Sequence, residues 1–255
     1  MIRIIGRIAA AIAALVLPVT FACAADINVY GTIGMRNALE QLTPLFQKQS
    51  GATLALTWGT AAMLTKRIEA GEPADVVILT SDNVDALNTQ GKVAPDTETT
   101  LAKSSIAVAV KVGAAKPDIS TADSLKQALL KAKSIAYSNP AYGGASGVYF
   151  AKLLDRLGIA DQMKAKTKYP SAGGNSAGLL VDGQVELAVQ QKPELMNILG
   201  VDIAGLLPAD LNKVTAFAAA VTASSKSADV AKALIKFLQS PAAVKVLKTS
   251  GFETE

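Results

Sequence analysis

The 255-residue chain has no histidine and a single cysteine, Cys23. Without histidine, the side chain that ordinarily titrates near neutral pH is missing. With one cysteine, no intrachain disulfide can form. Aromatic residues make up 5% of the chain, too few to suggest a cleft that stacks sugar rings. The charge is nearly balanced, with 25 basic and 21 acidic residues, and evenly spread. That argues against nucleic acid or an anionic membrane as a partner. After residue 24 no apolar run reaches the roughly 18 residues that cross a bilayer. The carboxylates lie mostly on helical segments and show no metal-ligand spacing. No Ser-x-x-Lys stands at a strand-to-helix elbow. The usual base is thus missing and no nucleophile or metal-ligand motif stands out, so the expectation is a binding protein and not an enzyme, with a Ser–Lys dyad left as the enzymatic alternative, no cofactor and no bound metal.

What is present starts with a leader. Arg3 and Arg7 form a basic start, Ile8 to Phe21 is apolar, and Ala22-Cys23-Ala24 is a small-x-small cleavage site. Residues 1–24 therefore read as a secretory signal, cleaved after Ala24 or Ala25, which directs the mature chain to the periplasm. A lipoprotein anchored at Cys23 is the alternative, although Thr20-Phe21-Ala22 is a poor lipobox. About 230 residues remain, room for one large or two small domains.

One feature recurs four times: a short apolar strand, a Gly- or Ser-rich turn, then a helix. The turns are Gly31-Thr32-Ile33-Gly34, Gly59-Thr60-Ala61-Ala62, Tyr142 to Gly147, and Gly173 to Gly178. Each lets a helix N-terminus offer bare backbone N–H groups, about half a positive charge per helix end. Such an end is suited to an anion. Four of them, with no catalytic side chain in sight, point to an anion site.

The periodicity orders these turns. Strands are expected over Ile27–Tyr30, Thr53–Trp58 and Ala74–Leu79, with helices over Met35–Gln49, Met63–Ala70 and Asp82–Thr89. This βαβαβα run is the pattern of a doubly wound sheet. A second α/β unit follows, with strands at Ser105–Val110, Ser134–Ser138, Glu186–Gln190 and Val214–Val221. Its helices are Asp123–Lys131, Val148–Leu157 and Ala177–Asp182. Two helices, Ala228–Gln239 and Pro241–Thr249, close the chain and are expected to pack back on the first unit. The fold class is therefore α/β: two doubly wound domains joined by a two-strand hinge. Domain 1 takes residues 25–105 and 217–255, domain 2 residues 106–216, with the ligand cleft between them.

Several stretches resemble the periplasmic molybdate-binding receptors. They are Tyr30-Gly31-Thr32-Ile33-Gly34 with Asn37-Ala38-Leu39, the run Arg67-Ile68-Glu69-Ala70-Gly71-Glu72-Pro73-Ala74-Asp75-Val76-Val77-Ile78, and Ser138-Asn139-Pro140 to Gly147-Val148-Tyr149. Phe237 to Ala243 with Gly251-Phe252 resembles the signature of the wider class of two-domain solute receptors. The resemblance implies two domains that close on a tetrahedral oxyanion, such as molybdate or tungstate, and deliver it to the membrane permease of an ABC importer. It implies a monomer and a ligand held by backbone N–H groups and hydroxyls. This chain departs from the pattern at Gly34, where a Ser is usual, at Thr60-Ala61-Ala62, where a Ser run is usual, and at Gln190-Gln191, where a Tyr is frequent. Fewer hydroxyls leave a small organic carboxylate or another anion as the alternative ligand, for uptake or signalling.

The ligand-binding set expected on these grounds is Thr32, Gly34, Thr60, Ala61, Ser146, Asn175, Ser176 and Gln191. Each has a plainer reading beside it. Gly34, Gly144 and Gly147 serve tight turns equally well, Thr60 serves as an N-cap, and Gln190 and Gln191 could be a solvated strand end. Tyr142 lines the site or caps the core. Trp58 and Asp75 read as structural, and Lys66-Arg67 as a solvated helix face. With neutral donors only, affinity is expected to be indifferent to pH between 6 and 8.

Overall fold

The computed structural model describes residues 26–254, apart from Gly173 and Asn197. The expected leader lies outside them. The first unit runs β1 (Asp26–Thr32), a 3-10 turn (Ile33–Met35), α1 (Arg36–Ser50), β2 (Thr53–Gly59), α2 (Ala61–Glu69), β3 (Val76–Thr80), α3 (Ser81–Thr89) and β4 (Thr99–Ser104). The second runs β5 (Ile106–Lys111), α4 (Ala122–Lys131), β6 (Ile135–Tyr137), α5 (Ala145–Arg156), α6 (Ala160–Lys164), β7 (Thr167–Lys168), α7 (Ser176–Val181), β8 (Leu187–Gln191), α8 (Lys192–Leu195) and β9 (Val201–Leu206). The chain then returns through β10 (Thr215–Val221), α9 (Ala228–Leu238) and α10 (Pro241–Thr249).

The strands form two five-stranded sheets, β2-β1-β3-β10-β4 and β7-β6-β8-β5-β9. Both have the same design. Three parallel strands come from one unit, and a long strand runs antiparallel to its neighbours in the fourth place: β10 in the first sheet and β5 in the second. The chain crosses between sheets at Ser105, and again between Leu206 and Thr215. Thr215 and Ala216 already pair in the first sheet, opposite Ser104 and Lys103.

Burial explains why these segments become strands. β3 is buried along its whole length, because helices cover both faces of the sheet, and its sequence is correspondingly a continuous apolar run. One face packs on Ala38, Leu39, Leu42 and Phe46 of α1 and on Leu234, Leu238 and Leu247 of the two C-terminal helices. Those helices thus pack on the first sheet, as expected. Its other face packs on α2 and α3 through Leu64, Ile68, Val84 and Leu87. The second sheet has its own core around Phe150, Leu153, Leu125 and Leu129. Asp75 is structural: its carboxylate accepts from the backbone N–H of Asn28 and Lys226 and from the Ser225 hydroxyl, tying β1 to the start of the C-terminal helices.

Candidate functional site

Parallel strands point their C-terminal ends the same way, and ligands of open α/β sheets collect there. The two sheets turn those ends toward each other. β1, β2 and β3 deliver Thr32, Thr60 and Thr80 from one side. β6 and β8 deliver Ser138, Gln190 and Gln191 from the other. Between them lies a cavity of about 40 Å3, roughly three times the space that one water requires. The antiparallel strand β10 adds Phe217, which lies opposite Thr80 in the register.

Six of the expected ligand residues line this cavity: Thr32, Gly34, Thr60, Ala61, Ser146 and Gln191. Asn175 and Ser176 do not. The reason is local hydrogen bonding. The Ser176 N–H and hydroxyl both donate to Gln190 Oε1, and the Ala177 N–H donates to Asn175 Oδ1. The donors of the fourth turn are thereby committed inside the protein. Asn175 and Ser176 form a layer behind the wall, and Ser176 holds Gln190, which does line the cavity.

The other turns keep their donors free. α2 binds the Met63 N–H through the Thr60 hydroxyl and the Leu64 N–H through the Thr60 carbonyl, which leaves Ala61 and Ala62 N–H without an intrahelical partner. α5 starts at Gly144, which has no side chain to cap it. Its first-turn N–H groups at Ala145 and Ser146 stand at the cavity beside the Ser146 hydroxyl.

The glycines divide by function. A Cβ on Gly147 would sit 2.0 Å from the Ser138 carbonyl oxygen, so this glycine exists to let α5 approach the end of β6. A Cβ on Gly34 would meet the Phe217 ring at 3.0 Å, so it serves packing as well as lining the cavity. Trp58 is not a lining residue; it is partly buried in the first core. Tyr142 lines the cavity.

The Thr60 hydroxyl has a different task from the one expected. It donates to the Tyr142 carbonyl across the cleft, at 2.5 Å, so its proton faces the opposite domain and not the cavity. Gly143 packs beside this contact, where a Cβ would come 2.6 Å from that of Ala62. On the hinge side, Gln191 Nε2 donates to Thr215 Oγ1 at 2.8 Å. The Asn37 amide of α1 donates to the Pro193 carbonyl of α8 at 3.0 Å. The cleft is therefore shut on both sides.

Sequence reasoning missed Glu194, the one carboxyl among the lining residues. It sits at the third position of the short helix α8 and is 8% exposed. Its Oε2 has no hydrogen-bond partner, and neither has Gln191 Oε1 beside it. Burial raises its pKa to about 7, against the pull of hydrogen bonds from the Gln191 backbone N–H and the Gln190 side chain. The cavity is thus not lined by neutral groups alone, and Glu194 replaces the expectation of a pH-indifferent site with that of a pH-dependent one. The missed signal is Gln191-Lys192-Pro193-Glu194, a helix start with Pro in the first turn and a Glu three residues after the N-cap.

The family model described as bacterial extracellular solute-binding protein matches residues 27–253. The chain belongs to this family. Among curated solute-binding relatives, molybdate-binding protein ModA of Escherichia coli K12 is 26% identical over 89% of this chain and 88% of its own length. The solved structure of the periplasmic molybdate-binding protein of Azotobacter vinelandii superposes with a TM-score of 0.75 at 22% identity, over 90% of this chain and 99% of that one. A protein named aconitate isomerase, from Pseudomonas sp., is more similar in sequence, with 34% identity over 89% of this chain and 87% of its own. The fold is therefore that of the molybdate-type periplasmic receptors. Among the described residues, no helix of this solute-binding protein is long and apolar enough to cross a membrane.

Proposed function

We propose that this solute-binding protein is a monomeric periplasmic receptor of an ABC importer, and that its cleft takes a small polycarboxylate. The observation that carries the choice of ligand is Glu194. A fully deprotonated tetrahedral oxyanion offers only acceptors, and here it would face the Glu194 carboxyl and the unpartnered Gln191 amide oxygen. A polycarboxylate can share a proton with Glu194 while its other carboxylates lie on the first-turn N–H groups of α2 and α5. The likeness to a protein named for aconitate, an unsaturated tricarboxylate, supports the same class.

Molybdate or tungstate is the second reading. It is favoured by the open helix starts of α2 and α5 and by the molybdate-binding relative. Calorimetric titration of the purified mature chain with molybdate, tungstate, sulfate, cis- and trans-aconitate and the saturated propane-1,2,3-tricarboxylate separates the two. The polycarboxylates are expected to bind most tightly. Preference for molybdate or tungstate over every carboxylate overturns the assignment of the ligand and leaves the receptor fold as it is.

A further inference from the structure

We propose that Glu194 is an acid–base residue that moves one proton between two carbons of an unsaturated polycarboxylate held in this cleft, so that the receptor isomerises the ligand it binds. The inference rests on the polycarboxylate reading above and adds a chemical step to it.

Three observations meet at this residue. First, among the described residues Glu194 is the only carboxyl lining a cavity of about 40 Å3, so a bound ligand lies within a few bond lengths of it. Second, its Oε2 is buried and unpartnered, while the Gln191 N–H and the Gln190 side chain hydrogen-bond the carboxyl, and Ser176 in turn holds Gln190. One oxygen is therefore held ready for a proton that no protein group supplies. Third, the carboxyl stands next to the first turn: a Cβ on Gly34 would lie 3.9 Å from Glu194 Oε1. The same small space receives the N–H groups of α2 and α5, which suit the charge that builds on a carboxylate when its α-carbon loses a proton.

The step balances without a co-reactant. The C–H bond of the ligand's methylene breaks, and Glu194 takes the proton. The electron pair spreads through the double bond into the flanking carboxylates as a dienolate, stabilised by the backbone dipoles. Glu194 then returns the proton to the former vinyl carbon, and the double bond has moved by one position. Nothing is oxidised or consumed. Burial also sets the basicity of this carboxyl near neutrality, where a general base works best.

The test is proton NMR of cis- and trans-aconitate in D2O with the full mature protein. The wild type is expected to interconvert the isomers and to introduce deuterium at the exchanging carbons. Glu194→Gln keeps the shape and one acceptor oxygen. It is expected to bind propane-1,2,3-tricarboxylate at least as tightly at pH 8, while exchange and isomerisation fall by about a hundredfold or more. Tight binding by the wild type with no exchange overturns this proposal and leaves the polycarboxylate reading standing, whereas failure of the wild type to bind overturns both. Exchange undiminished in Glu194→Gln removes Glu194 from the step. Should that variant fold poorly, Glu194→Ala removes the acid altogether; undiminished exchange in it overturns the proposal as well.

Discussion

Glu194 gives the molecule a pH dependence that a chain without histidine would not otherwise have near neutrality. Its pKa is about 7 in the folded state and near 4.5 in the unfolded chain. Between those values the folded state holds the extra proton, so stability is full below about pH 4.5 and falls as pH rises to 7. The loss is about 3 kcal/mol once both states are ionised. The melting temperature of the ligand-free protein is expected to drop between pH 5 and pH 8, and Glu194→Gln is expected to flatten that slope. Affinity follows the same proton. An anion that does not titrate should bind less well above pH 7, approaching a tenfold loss per unit, and a flat profile from pH 6 to 8 would take Glu194 out of contact with the ligand. Ser146 acts differently. It is buried at the start of α5 and lines the cavity. A hydrogen bond to a charged acceptor contributes ~1.5–3 kcal/mol, so Ser146→Ala should weaken binding about ten- to a hundredfold by calorimetry. A change under twofold would leave it with no part in recognition.

The helices and strands that the sequence announces are those with a continuous reason to be buried. β3 is apolar end to end, and α1 carries its stripe at Ala38, Leu39, Leu42 and Phe46; both are read within a residue or two. The strands that escape sequence reasoning are β4, β7 and β9, and all three lie at sheet edges. These edge strands interrupt their apolar residues with polar ones such as Lys103, Lys168 and Asp202, whereas β2, also at an edge, is legible because Thr53–Trp58 alternates. α8 escapes because four residues carry no helical period. That matters for the site, since α8 carries Glu194. The convergence of three turns on one cavity follows from their strands, and six of eight expected residues line it. The exceptions, Asn175 and Ser176, are turned inward by a partner, Gln190, that only the folded chain brings to them. Gly147 offers a test of how α5 is placed. Its Cβ would overlap the Ser138 carbonyl oxygen, so Gly147→Ala should push α5 outward and cost ~1–3 kcal/mol. Chemical denaturation should register the loss, with ligand affinity falling as well because α5 delivers Ser146. Wild-type stability in this variant would mean that the approach has slack.

Two domains that close on a ligand divide the donors between them, so only the shut form has all of them, and a ligand shifts the population by its preference for that form. Here the shut form also has contacts of its own. Thr60 reaches Tyr142 on one side of the cleft, and Asn37 reaches Pro193 on the other. Thr60→Val removes the first without changing the shape of the residue. It should lower the affinity of every ligand by a common factor, at most about tenfold, and leave their order unchanged; it should also cost about 1 kcal/mol of stability through the lost helix cap. Calorimetry with two different anions checks this, and a changed order would place the Thr60 hydroxyl on the ligand after all. A bond that joins the domains without any ligand atom has one more effect. It favours the shut shape whether the cavity is full or empty. A permease that reads only the outer surface then meets laden and unladen receptors wearing the same face. An ABC importer served by such a receptor, as proposed above, would make idle strokes in proportion to how often the empty cleft shuts by itself.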